Sequence, residues 1–179
     1  MRKYLIEMLI HTPINTHKEP QKVAVIGNDI DSYKEEFKKQ HFLNLEINYI
    51  DSLQQLQDIE SASLDVIIVD TILESDKRFF AHLNRALNDK GLLSLNGDLN
   101  NLAPVAEEFL IAMPYLIYSF ESATKPLIFG SKFYHPTADI ILQRSDFIDN
   151  LSYYNSDIHT ASFTMPNWIK SQIREIVKN

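Results

Sequence analysis

Lys22-Val23-Ala24-Val25-Ile26-Gly27-Asn28-Asp29-Ile30-Asp31 is the stretch on which the fold turns. A short aliphatic run that ends in a glycine and passes at once into helix-capping residues reads as the first strand–turn–helix unit of a doubly wound sheet. A strand covered on both faces has no polar side to alternate. Asp29 and Asp31 suit the cap and first turn of a helix running from Asp31 to Gln40, with Tyr33 and Phe37 four apart on one face. Working outward, the same alternation recurs. Leu45–Ile50, Val66–Val69 and Leu92–Leu95 are further strand-like runs, and Leu53–Ile59 and Lys77–Leu87 have helical spacing, the second with Phe79, Phe80, Leu83, Ala86 and Leu87 on one face. Asp89-Lys90-Gly91 reads as the turn that ends that helix. Beyond Gly97 the pattern predicts a helix over Leu102–Ala112 and two strands, Tyr115–Phe120 and Leu127–Phe133, whose short link Glu121–Pro126 makes them an antiparallel pair at one edge of the sheet. A last helix starts at Pro166 and runs through Trp168, Ile169, Ile173 and Ile176. The prediction is one α/β domain over residues 1–179, with a mainly parallel sheet flanked by helices.

Composition narrows the function classes. The chain has 179 residues, 45% of them apolar, with no Cys and only 4 Gly; average usage would give about 12 glycines. Gly27, Gly91, Gly97 and Gly130 are too far apart for a phosphate-cradling loop that needs three close glycines. The missing Cys excludes a disulfide scaffold and thiolate metal sites. A net charge of −7 repels polyanions, so nucleic acid is not an expected partner. No signal-peptide pattern opens the chain and no apolar run is of membrane-spanning length, so a cytoplasmic protein with no membrane partner is expected. No two of the six histidines sit four apart on a predicted helix with a carboxylate to match, so no metal is expected.

Several blocks also resemble the spermidine synthase family: Glu7-Met8-Leu9-Ile10-His11-Thr12-Pro13, Lys22 to Gly27, Asp65 to Asp70, Leu87 to Gly97, and above all Tyr153-Tyr154-Asn155-Ser156-Asp157-Ile158-His159-Thr160-Ala161-Ser162-Phe163-Thr164-Met165-Pro166. Members of that family close with Tyr-Tyr-Asn, an aliphatic residue, His, Ala and Phe-x-Leu-Pro at this spacing, and Met165 stands in the Leu position. The resemblance is ordered along nearly the whole chain. It implies a Rossmann-like domain of the S-adenosylmethionine-methyltransferase kind. It also implies aminopropyl transfer from decarboxylated S-adenosylmethionine, as co-substrate with no further cofactor, to putrescine, and a homodimer whose ligands are nucleosides and polyamines. Members carry a small β domain ahead of this one. Met1 falls within what resembles the joining helix, so the β domain is expected to be missing.

The resemblance assigns roles by position. Asp70 matches the first aspartate of an Asp-x-x-Asp motif that holds the attacking amine and takes its proton. Its place at the carboxyl end of a buried strand independently marks it as a site candidate. Gly27 and Asp29 stand at the nucleoside loop, and Asn96 and Asp98 in a Gln-Gly-Glu-like stretch toward the amine. Asp51 has two readings. If Leu45–Ile50 is the second strand, Asp51 lies 24 residues beyond Gly27, near the spacing of a ribose-binding acid. If it is the third, Asp51-Ser52 resembles an adenine-contacting pair, which its direct lead into Leu64–Asp70 favours. The sequence also departs from the family. Ile30 replaces a loop glycine, a strain of roughly 1–3 kcal/mol if the family backbone were kept. Leu73 replaces the second aspartate, Glu74-Ser75-Asp76 shortens the gate loop, Leu5-Ile6 replaces a Tyr-His pair, and Lys125 adds positive charge. Three readings follow: an aminopropyltransferase working through Asp70, a catalytically silent homologue acting as scaffold or regulatory subunit, and a methyltransferase on the same fold. Tyr153, Tyr154, His159 and Phe163 read as packing residues, and Trp168, Phe79 and Phe80 as core or dimer contacts.

Overall fold

The computed structural model describes residues 2–73, 76–118 and 125–177. Helix α1 (Arg2–Thr16) leads into β1 (Lys22–Ile26), α2 (Ile30–Phe37), β2 (Glu46–Ile50), α3 (Leu53–Asp58), β3 (Leu64–Val69), α4 (Lys77–Ala86) and β4 (Leu87–Leu95). Then come α5 (Leu102–Glu108), β5 (Ile111–Ile117), β6 (Lys125–Ser131), α6 (Leu142–Asp146), α7 (Ser156–Ser162) and α8 (Asn167–Ile173). The six described strands form one sheet in the order β2-β1-β3-β4-β6-β5. β1 to β4 are parallel, and β6 runs antiparallel to both β4 and β5. The predicted α/β class and antiparallel edge pair are therefore present.

Alternation within each strand splits the core between the two faces of the sheet. Ala24, Ile26, Ile67 and Val69 point toward α3, α4, α5 and α8, among Phe79, Phe80, Leu83 and Val105. Val23, Val25, Val66 and Ile68 point the other way, into Met8, Leu9, Ile10, Tyr33 and Phe37 of α1 and α2. Every residue of α1 from Leu5 to Thr16 is buried, so this helix has no solvent face to pattern. Its buried Glu7 accepts the backbone N–H groups of Ser152, Tyr153 and Tyr154 at 2.8–3.1 Å, fastening the carboxyl-terminal segment over the helix. His159 completes that fastening: its Nε2 donates to the Pro136 carbonyl at 2.9 Å, and its Nδ1 accepts from the Tyr154 hydroxyl at 2.7 Å. Phe163 stacks on Tyr115. These are the packing roles expected of Tyr153, Tyr154, His159 and Phe163, although the elements they join are α1, α7 and the sheet.

Several expectations change. Asp89-Lys90-Gly91 is not a turn out of the helix. β4 begins directly at Leu87, which pairs with Leu64, and the ladder resumes at Val66 and Leu92, so residues 88–91 bulge from it. Gly91 fits because a Cβ there would lie 2.6 Å from the Leu87 Cβ. The helix expected over Leu102–Ala112 ends at Glu108, because Ile111 to Ile117 pairs with β6 and the ladder outweighs helical spacing. The strand expected at Tyr115–Phe120 thus starts earlier, and Phe120 lies outside the described residues. Leu127–Phe133 shifts to Lys125–Ser131, and the link 121–124 lies outside the described residues. The helix predicted to Gln40 closes in a 3₁₀ turn over Lys38–Gln40. Pro166 caps α8 without entering it, and the helix ends at Ile173. Phe79 and Phe80 are core, whereas Trp168 is 63% exposed.

Candidate functional site at the carboxyl ends of the parallel strands

Gly27, Asp51, Asp70 and Asn96 each follow the last residue of a parallel strand, so all stand at the edge where open α/β sheets bind ligands. The backbone fixes two of them. Asp70 N–H donates to the Ile26 carbonyl at 2.8 Å and Asn96 N–H to the Val69 carbonyl at 2.7 Å, continuing the β1–β3 and β3–β4 ladders by one rung. Asp70 and Asn96 are therefore placed by the sheet.

Asp70 is 7% exposed, and both carboxylate oxygens accept hydrogen bonds. Arg2 Nη1 donates to its Oδ1 at 2.9 Å and Nη2 to its Oδ2 at 2.5 Å, a two-pronged pair. Asn96 Nδ2 adds a bond to Oδ1 at 2.8 Å and one to the Asp70 carbonyl at 3.1 Å. Arg2 also reaches Asp29, Nε to Oδ2, at 3.4 Å. Burying a carboxylate without a counter-charge is costly, and here the guanidinium supplies it. The bond to Asp70 raises the Arg2 pKa above its ordinary value. The Tyr33 hydroxyl is buried beside Asp70 and finds no partner of hydrogen-bonding geometry among the described residues. Burial first, and then the Asp70 charge, push its ionisation upward.

Gly27 matters for proximity. A Cβ there would sit 3.1 Å from the Asp70 Cβ and 3.4 Å from Oδ2, so the glycine lets the end of β1 approach the carboxylate. Positive φ is not involved, since no described glycine has it and Ala62 and Asn150 are the only other described residues that do. The strain expected at Ile30 is thus absent: the chain does not keep a left-handed loop, and Ile30 simply starts α2. Asp29 caps that helix, accepting from Ser32 N–H at 3.4 Å, and Asp31 lies in its first turn. The Ser32 bonds, aided by Arg2, hold the Asp29 carboxyl below its usual range.

The remaining predicted residues do not join this cluster. Asp51 is exposed at the end of β2, its N–H bonded to Gln55 Oε1 at 3.0 Å. Because β2 pairs directly with β1 on the side away from β3, it takes the second-strand position of a doubly wound sheet. Asp51 therefore follows the strand that lies beside β1 on the side away from β3. Asp98 is exposed and accepts from Asn100 N–H at 2.8 Å, capping a 3₁₀ turn away from Asp70. Leu73 packs against the core. Lys125 opens β6 at the same edge of the sheet. Glu74 and Ser75 lie outside the described residues, and Asp76 caps α4. Arg2 was not foreseen. Its one sequence signal is a cation in the first turn of a helix with no acid there, against the helix dipole. Among the described residues no three His, Asp or Glu side chains are placed to hold a metal ion.

No model of a known protein family matches the chain. Individual proteins do. A polyamine aminopropyltransferase of Helicobacter acinonychis is 29% identical over an alignment of 205 positions, spanning 97% of this chain and 78% of that protein. Another, from Alkalilimnicola ehrlichii, is 26% identical and spans 94% of this chain and 77% of its own. The chain is similar to proteins of the spermidine synthase family. The spermidine synthase of Thermotoga maritima superposes with a TM-score of 0.81 at 22% identity, over 96% of this chain and 74% of that one, which confirms the fold. A phosphoethanolamine N-methyltransferase of Haemonchus contortus shares the fold more distantly, with a TM-score of 0.52 over 85% of this chain at 17% identity. Set beside the resemblance described above, the loop after β1 keeps a single glycine, Leu73 stands where the second aspartate would, and Arg2 is seated on Asp70. No described helix is long and apolar enough to cross a membrane.

Proposed function

We propose that this chain is a spermidine-synthase-like protein that binds an adenosyl thioether or sulfonium at the β1–β2 end and an amine at Asp70, for aminopropyl transfer between them. The observation that carries the reading is the seat of Asp70: an aspartate 7% exposed, fixed by the ladder, and in contact with a cation. The Arg2 guanidinium stands in for an ammonium there, marking the position as one that selects cations. In the reaction, the neutral amine nitrogen attacks the methylene carbon bonded to the sulfonium. The new C–N bond forms as the C–S bond breaks, the sulfur leaves as a neutral thioether, and the nitrogen's proton passes to Asp70. Asn96 orients the carboxylate, and Gly27 with Asp29 and Asp51 lines the nucleoside side.

The test is turnover of decarboxylated S-adenosylmethionine with putrescine, together with calorimetry using methylthioadenosine, the thioether product. Spermidine formation that falls at least about a hundredfold in Asp70→Asn supports the reading; no thioether binding at millimolar concentration overturns it. A second reading, a homologue without turnover that serves as scaffold or regulatory subunit, is favoured by Leu73, whose packing into the core leaves the amine no second acceptor. Thioether binding without spermidine formation would select it.

A further inference from the structure

We infer that Arg2 sets the cation specificity of the Asp70 site, as a tethered guanidinium that an incoming amine must displace. The inference rests on the proposed amine role of Asp70 and goes beyond it by naming the residue that decides which amines enter.

Three observations carry it. First, the carboxylate is occupied: both oxygens accept from Arg2, at 2.9 and 2.5 Å, and Oδ1 also accepts from Asn96 at 2.8 Å. A primary ammonium taking Arg2's place needs the same two facing lone pairs at about 2.7–2.9 Å, so it competes with the two-pronged Arg2 for Asp70. Second, the competitor is tethered but can move. α1 is buried from Leu5 onward, so the root of Arg2 is fixed near the site, while its side chain is 44% exposed and has room to swing into solvent. Asp29, 3.4 Å from Arg2 Nε and itself exposed, offers the displaced guanidinium a second carboxylate. Third, the charges select. Asp70 and Asp29 carry two negative charges between them, and Arg2 cancels one, so a seated Arg2 leaves a net charge of −1. Leu73 supplies none. Such a site discriminates against a dication, which gains most from two open carboxylates, and less against a single ammonium. A cation in the first turn of a helix is also electrostatically misplaced unless acids answer it, which ties Arg2 to these two aspartates.

The experiment is calorimetric titration of the wild-type chain, Arg2→Met and Arg2→Lys with putrescine and with butylamine, each in the presence of methylthioadenosine. Arg2→Met is expected to tighten putrescine by about fivefold, the equilibrium weight of one displaced, partly exposed ion pair, and to tighten butylamine less. Arg2→Lys, which keeps the charge but loses the fork, should fall between them. Where turnover is measurable, the KM for the diamine should fall while kcat stays. Putrescine affinity unchanged in both variants, with methylthioadenosine still bound, would overturn the inference and leave the proposed function standing. Methylthioadenosine bound by none of the three proteins would remove the proposed function itself. Arg2→Lys carries the same comparison if Arg2→Met does not fold.

Discussion

Lowering the pH should destabilise the fold through His159, by an amount the structure sets. The ring is buried, with Nε2 donating to the Pro136 carbonyl and Nδ1 accepting from Tyr154, an arrangement that suits the neutral imidazole and has no place for a second proton. Burial pushes its pKa down to about 4, from an ordinary value of 6.5. The unfolded chain therefore takes up a proton between those values that the folded chain refuses, and stability falls as pH falls. The contribution is whole above pH 6.5 and lost as pH drops through about 4. The gap corresponds to about 3 kcal/mol in full, of which about 2 kcal/mol is gone at pH 5. Buried His11 and His17 are shifted the same way by burial and add to the slope. The assay is urea unfolding at pH 7.5 and pH 5, paired with NMR titration of the His159 ring to isolate its share. Tyr154→Phe should leave the ring low, because burial and not the hydroxyl is the cause. A His159 ring titrating at or above pH 6, or a urea midpoint indifferent to pH, would refute the reasoning.

Two further outcomes are expected. Glu7→Gln keeps the volume but replaces a charged acceptor of three backbone N–H groups, and should cost about 2–4 kcal/mol in urea unfolding; a loss under 1 kcal/mol would mean those groups find other partners. Gly27→Ala places a Cβ 3.1 Å from that of Asp70, so the ends of β1 and β3 must part by a few tenths of an ångström. Unfolding should detect about 1–2 kcal/mol, and methylthioadenosine binding should weaken in calorimetry; unchanged values for both would show that the approach is not tight.

The parts of the fold legible in the sequence are those where one force dominates. β1 and β3 are buried on both faces, so an unbroken aliphatic run leaves no competing reading, and Asp29 and Asp31 cap a helix by local chemistry alone. Legibility failed where a distant partner decides. Asp89, Lys90 and Gly91 look like turn residues, yet pairing with β3 draws them into a bulged strand. Ile111 and Ala112 fit a helix until β6 pairs with them. The strand-end positions of Gly27 and Asp70 were readable because strand ends are set by local pattern, and Asp98 caps a local 3₁₀ turn. Asp51 required the strand order, which no spacing encodes. Arg2 meets Asp70 across 68 residues, and that pairing exists only once α1 is laid on the sheet.

The Glu7 fastening also governs the order of assembly. Its partners lie 145–147 residues further along the chain, so that contact closes a loop of nearly the whole molecule. Contacts of such separation carry the largest closure entropy and form only after nearer ones have gathered the chain. On the ribosome, α1 is made well before Tyr154 and must wait for it before its buried carboxylate is satisfied. The cover over α1 is therefore complete only once the carboxyl-terminal segment has been laid across it.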